Sequence, residues 1–185
     1  MFLANALLVT ISWFQSVQAY GATERPGKVS SHATSEDSSM VLAPYYSFGP
    51  WEPDKVVSAW LIARFHSPGS DVLLLERTQN APRNGIPFDF PGVPLSRNAT
   101  RSTYDMIFQA SGSVDSVLGK VGDLVRPGEL AAWMLDATSE AGRFDRILRP
   151  MIVQKDLSRI FAFMDTLYAH GGKLEMRIPA QEEKR

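Results

Sequence analysis

The chain has 185 residues, with 19 Lys and Arg against 20 Asp and Glu, a formal net charge of −1 and 44% hydrophobic residues. That length suits one compact domain with short extras, and the near-neutral balance lacks the cationic excess with which general nucleic-acid binders neutralise phosphates. With no Cys and only three His, disulfides, thiolate metal sites, iron–sulfur clusters and a Cys nucleophile are excluded, and little remains for a His-rich metal centre.

Residues 2–14 form one apolar run, too short to cross a bilayer, which takes about 20 apolar residues. Ser16-Val17-Gln18-Ala19 follows, and the modest side chains at Val17 and Ala19 suit a signal peptidase. Residues 1–19 therefore read as a signal peptide cleaved after Ala19. The expected location is periplasmic or secreted, with no stable membrane anchor after processing. The competing reading is an N-terminal core helix. Residues 20–50, rich in Ser and containing His32, carry no apolar period and read as a flexible polar linker.

The folded part is expected over 51–172, followed by a polar tail at 173–185. Glu52-Pro53-Asp54 signals a helix start, with Val56, Val57, Trp60, Leu61 and Ala63 along one face. Pro68-Gly69 should stop that helix near His66. Residues 72–76 and 87–90 read as two short strands paired with each other. Asp89, between Phe88 and Phe90, should face away from them and needs a partner. A helix over 103–109 is capped by Ser102 or Thr103. The next, over 114–125, presents Val114, Val117, Leu118, Val121 and Val125 on one side and breaks at Arg126-Pro127-Gly128. A short apolar helix over 129–137 and a long one over 152–168, closed by Gly171-Gly172, complete the pattern. The fold class is mainly α with a small two-strand β element, in a single compact helical domain.

No Gly-rich phosphate loop, nucleophile elbow or HExxH helix occurs, so no catalytic residue and no cofactor can be named. His66 and His170 have no second His at helical spacing. Asn98-Ala99-Thr100 matches the N-glycosylation triplet, which matters only in a eukaryotic secretory pathway. Arg64, Arg77, Arg83, Arg97 and Arg101 surround the expected strand pair, and Arg forks suit tetrahedral dianions. The plain alternative for them is a solvated surface with weak ion pairs.

The order of motifs resembles a known family. Ser58-Ala59-Trp60-Leu61-Ile62-Ala63-Arg64-Phe65, then Pro87-Phe88-Asp89-Phe90-Pro91-Gly92, Leu95-Ser96, Thr103-Tyr104-Asp105 and Phe163-Met164-Asp165 are similar to the chromate-resistance protein family, the ChrB-like C-terminal domain. Some of its members are named as exported proteins. The resemblance spans about 54–170 and implies a mostly helical fold with a small strand pair. The family pattern has Cys-Pro where this chain has Ser58-Ala59, Asp where it has Ser67, His where it has Arg97, and Cys, Val or Thr where it has Ser102. Metal-type ligands are thus replaced by groups that hold divalent cations poorly.

What the resemblance implies is an exported accessory protein binding a chromate-like oxyanion, or a divalent metal, without clear turnover. Arg64, Arg97 and Arg101 would hold the anion, with Asp89, Asp105 and Asp165 as supporting acids or metal ligands. Arg64 and Asp89 are expected to lie close together. The alternatives are a metal-dependent redox or detoxifying enzyme carried by those three acids, and a sensor or interaction domain without small-molecule chemistry. No nucleic-acid partner is expected.

Overall fold

The computed structural model describes residues 42–174. The expected signal peptide, most of the linker and most of the C-terminal tail lie outside them. The elements run β1 (Tyr45–Phe48), α1 (Pro53–Leu61) with a π-turn extension (Ile62–His66), β2 (Val72–Leu75), β3 (Ile86–Pro87), α2 (Thr103–Ala110), α3 (Ser116–Leu130), a 3-10 turn (Ala132–Met134), α4 (Glu140–Val153) and α5 (Leu157–Ala169). The mainly helical class is correct.

The strand pairing differs from expectation. The sheet has three strands in the order β2-β1-β3, all parallel. β2 and β3 each pair with β1 rather than with each other, and β1 comes from the stretch read as linker. Tyr45 and Ser47 of β1 are buried while Tyr46 and Phe48 are half-buried, the period-2 alternation of a strand with one covered face. Four residues are too few for that period to stand out from a polar flank. Beyond Pro87, Phe88 makes a single bridge with Leu95, and Asp89 takes φ 55, so the second strand ends earlier than expected. Asp tolerates the left-handed region better than most residues because its short carboxylate bonds locally.

α1 is buried on every side from Asp54 to Leu61 rather than along one stripe. It packs against α2, α3, α4 and α5, so it is the axis of the domain. Small Ser58 and Ala59 permit that close approach. The π-turn, closed by the Ser67 amide bonding Ile62 O at 2.9 Å, ends the helix before Pro68 as expected.

Ser102 Oγ accepts the Asp105 amide and the Ser102 amide donates back to the Asp105 carboxylate, completing a capping box at the start of α2. α3 starts at Ser116, capped by Asp115, and leaves Val114 exposed. It continues through Pro127 to Leu130, because a proline there removes one hydrogen bond while Ala131 still bonds Pro127 O at 3.1 Å. Residues 129–137 therefore form a helix end and a 3-10 turn, not a separate helix. The expected 152–168 helix is the end of α4 plus α5. Lys155, at φ 53, breaks the chain between them, and Asp156 caps α5 through the Arg159 amide at 2.9 Å. α4 was hidden by its charged residues and by Pro150, yet it buries Gly142, Phe144, Leu148 and Met151. Trp60, Phe88, Tyr104, Phe144, Met164 and Leu167 fill the core.

Candidate functional site

The chain leaves β1, forms α1, enters β2 on one side of β1, and returns to β3 on the other. Between β1 and β3 the strand order reverses. In open parallel sheets, a crevice beyond the carboxyl ends of the strands at such a point is where ligands bind. A cleft of about 390 Å³ occupies this place, lined among others by Phe48, Lys55, Arg77, Phe90, Arg97 and Glu129.

Its floor is a polar network. Lys55 is only 4% exposed, and its Nζ donates to Phe48 O at 2.7 Å and Pro50 O at 3.0 Å and pairs with Asp89 Oδ2 at 3.4 Å. The two carbonyls take two of its three donors, and Asp89 balances its charge. Thr103 Oγ1 donates to Asp89 Oδ1 at 2.6 Å and accepts the Arg97 amide at 3.2 Å. Asp54, 2% exposed, accepts the Thr103 and Tyr104 amides at 2.7 and 2.9 Å. The start of α1 thereby caps the start of α2. Burial drives the Asp54 carboxyl up to about 7, with Glu129 and Asp89 adding to the rise and the two amides opposing it. Above the floor, the 57% exposed Arg97 side chain reaches Glu129 on α3. Burial also raises Glu129, against the lowering pull of Arg97.

Of the expected site residues, Asp89 and Arg97 share this cleft. Arg64 does not. Its guanidinium forks onto Asp165, Nε to Oδ1 and Nη2 to Oδ2 at 3.0 Å each, and lies 5.4 Å from the Phe161 ring centre. Asp165 also accepts the buried Trp60 Nε1 at 2.7 Å. The Arg64 bonds, chiefly, hold Asp165 below the usual carboxylate range. Lys55 and Arg64 are nine residues apart along α1 and its extension, roughly 13 Å at about 1.5 Å per residue. The expected closeness of Arg64 and Asp89 is therefore corrected: each end of α1 holds a different ion pair. Arg101 and Asp105 border a separate concavity with Thr100, Gln109 and Arg126. Arg101 bonds Gln109, and Arg126 grips both Asp105 oxygens at 2.9 and 2.8 Å. Burial tends to raise Asp105, but the Arg126 and Ser102 bonds outweigh it and lower the group.

The three acids proposed for an enzyme thus answer to three different cations, Lys55, Arg126 and Arg64. Among the described residues, no group of three or more His, Asp and Glu is arranged to hold a metal ion. Sequence reasoning missed Asp54, Lys55, Thr103 and Glu129, and left Arg77 as one of several surface cations. A Lys beside Asp at a helix start carries no signal of burial. Asn98, of the glycosylation triplet, accepts the Thr100 and Arg101 amides at 2.9 Å in a local turn.

Fold and site together define an α+β domain with a mixed-charge cleft at its strand ends. The chain matches the family described as ChrB, C-terminal domain, over residues 48–170. It belongs to this family, the chromate-resistance family that its motifs resemble. Protein ChrB of Cupriavidus metallidurans is 27% identical over 123 residues, which cover 63% of this chain. The match spans 37% of that curated relative's length. No solved structure matches the chain.

Proposed function

We propose that this chain is an exported accessory protein of chromate resistance that binds a tetrahedral oxyanion in the strand-end cleft, without turnover. Arg97 supplies the fork. Its partner Glu129 lies within the same wall; an incoming dianion replaces it at the guanidinium, and Glu129, whose buried carboxyl is already raised, takes up a proton as it is displaced. Lys55 contributes charge from below, held by the Phe48 and Pro50 carbonyls and paired with Asp89. Arg77 also lines the cleft. Arg64 serves the fold through Asp165, and Arg101 belongs to the neighbouring concavity.

The observation that carries this reading is the position of Arg97: its amide is fixed by Thr103 and its side chain borders the cleft at the sheet's switch point. Calorimetric titration of the purified chain with chromate and with sulfate tests it. Saturable heat is expected, weakened at least about tenfold in Arg97→Ala and unchanged in Arg64→Ala, because only the first removes a charge-assisted bond to the anion. Absence of heat at millimolar anion refutes it. Chromate incubated with the protein should keep its visible absorbance; its disappearance would favour the enzyme. Export is tested by the mass of the chain recovered from the cell envelope, which should begin at Tyr20.

A further inference from the structure

The cleft is large for a bare oxyanion. At about 390 Å³ it falls within the roughly 300–1,000 Å³ of sites that enclose small organic molecules. Its two halves also differ in chemistry. The polar half holds Lys55, Asp89, Arg97 and Glu129. The other half is an aromatic wall of Phe48 and Phe90, with ring centres 6.1 Å apart and planes at 57°. These rings are half-buried, and Phe48 lies on the sheet face that carries Tyr46 rather than the buried Tyr45 and Ser47.

Arg77, just beyond β2, lines both this wall and the cleft. It lies over the β1–α1 turn, where a Cβ at Gly49 would stand 3.7 Å from its Nε. Among the described residues, no carboxylate or carbonyl accepts from its guanidinium. An uncommitted planar cation beside two angled rings is a setting for stacking on a third planar group.

We infer that the cleft takes an organic anion, a planar aromatic or heteroaromatic ring bearing a compact dianionic group. This rests on the anion reading given above and names the class of ligand for the same site. The dianionic group sits at Arg97. Phe48 and Phe90 pack on each other and on Tyr46, so the ring lies against the cleft-facing side of that cluster, beside Arg77. A bare oxyanion would use the polar half alone and leave the aromatic wall wet.

Phenyl phosphate and inorganic phosphate are the probes, titrated side by side by calorimetry into the full chain and its Phe90→Leu variant. Phenyl phosphate should bind at least about tenfold more tightly than inorganic phosphate, because its ring is buried against aromatic partners. Phe90→Leu keeps an apolar side chain but removes the ring face. It should bring the two probes to within about threefold of each other. Phe48→Leu should act in the same direction. Equal affinities in the unmodified chain, or an advantage that survives both substitutions, overturns the inference and leaves the anion site standing. No heat from either probe overturns the anion site as well.

Discussion

Asp54→Asn probes how α1 and α2 are joined. Asp54 is 2% exposed and holds two amides of α2. Its carboxyl is raised to about 7 in the fold, chiefly by burial, against about 3.9 in an unfolded chain. Between those values the folded state binds more protons than the unfolded one. The contribution of Asp54 is therefore most favourable below pH about 4, falls as pH rises towards 7, and is flat above that. Over the interval from pH 5 to 7.5, a group with these two constants loses about 2–3 kcal/mol of stability. Asn cannot ionise and keeps one acceptor for the two amides. At pH 5 it should be less stable than the native chain by about 1–3 kcal/mol, the cost of one unmet buried donor. By pH 7.5 that deficit should shrink by about 2–3 kcal/mol or reverse. Urea unfolding of both proteins at four pH values measures the difference and cancels the titration of groups not coupled to Asp54. A difference constant to within about 0.5 kcal/mol across this range would refute the claim that burial governs Asp54.

Asp165→Ala and Arg64→Ala should differ in cost although they break the same ion pair. The pair is 45% and 43% exposed, so losing Arg64 should cost under about 1 kcal/mol. Losing Asp165 also strands the buried Trp60 N–H and should cost about 1–3 kcal/mol more. Equal shifts in denaturation midpoint would place the energy in the surface pair instead. Thr103→Val removes the donor to Asp89 and the acceptor for the Arg97 amide. Stability should drop by about 1–3 kcal/mol, anion affinity should fall with it, and Thr103→Ser should restore both; a Val variant with native affinity would dissociate Thr103 from the cleft. Gly142→Ala would put a Cβ 2.1 Å from Asp136 O, so the turn before α4 must move. A loss of about 1–3 kcal/mol is expected by thermal unfolding, and an unchanged midpoint would show that this turn yields freely.

Much of the helical half was legible because helix ends are decided within a few residues. Pro53 in a first turn, the Ser102 capping box and the stop before Pro68 each act through neighbours in sequence. The same locality explains the errors at Pro127 and Lys155. A proline removes a single hydrogen bond that packing can outweigh, whereas an ordinary-looking Gln-Lys-Asp run breaks the chain once Asp156 caps the next helix.

What sequence alone determined about this protein is its mainly helical class, the helix ends set by Pro53, Pro68 and Ser102, and its likeness to a chromate-resistance family. Only the tertiary structure decided which strands pair, that Asp54 and Lys55 are buried, and that Arg97 parts company with Arg64 and Arg101. Capping and chain breaking are settled by bonds between near neighbours. Pairing and desolvation depend on what lies across the domain: Asp54 meets Thr103 at a separation of 49 residues, and Arg64 meets Asp165 at 101.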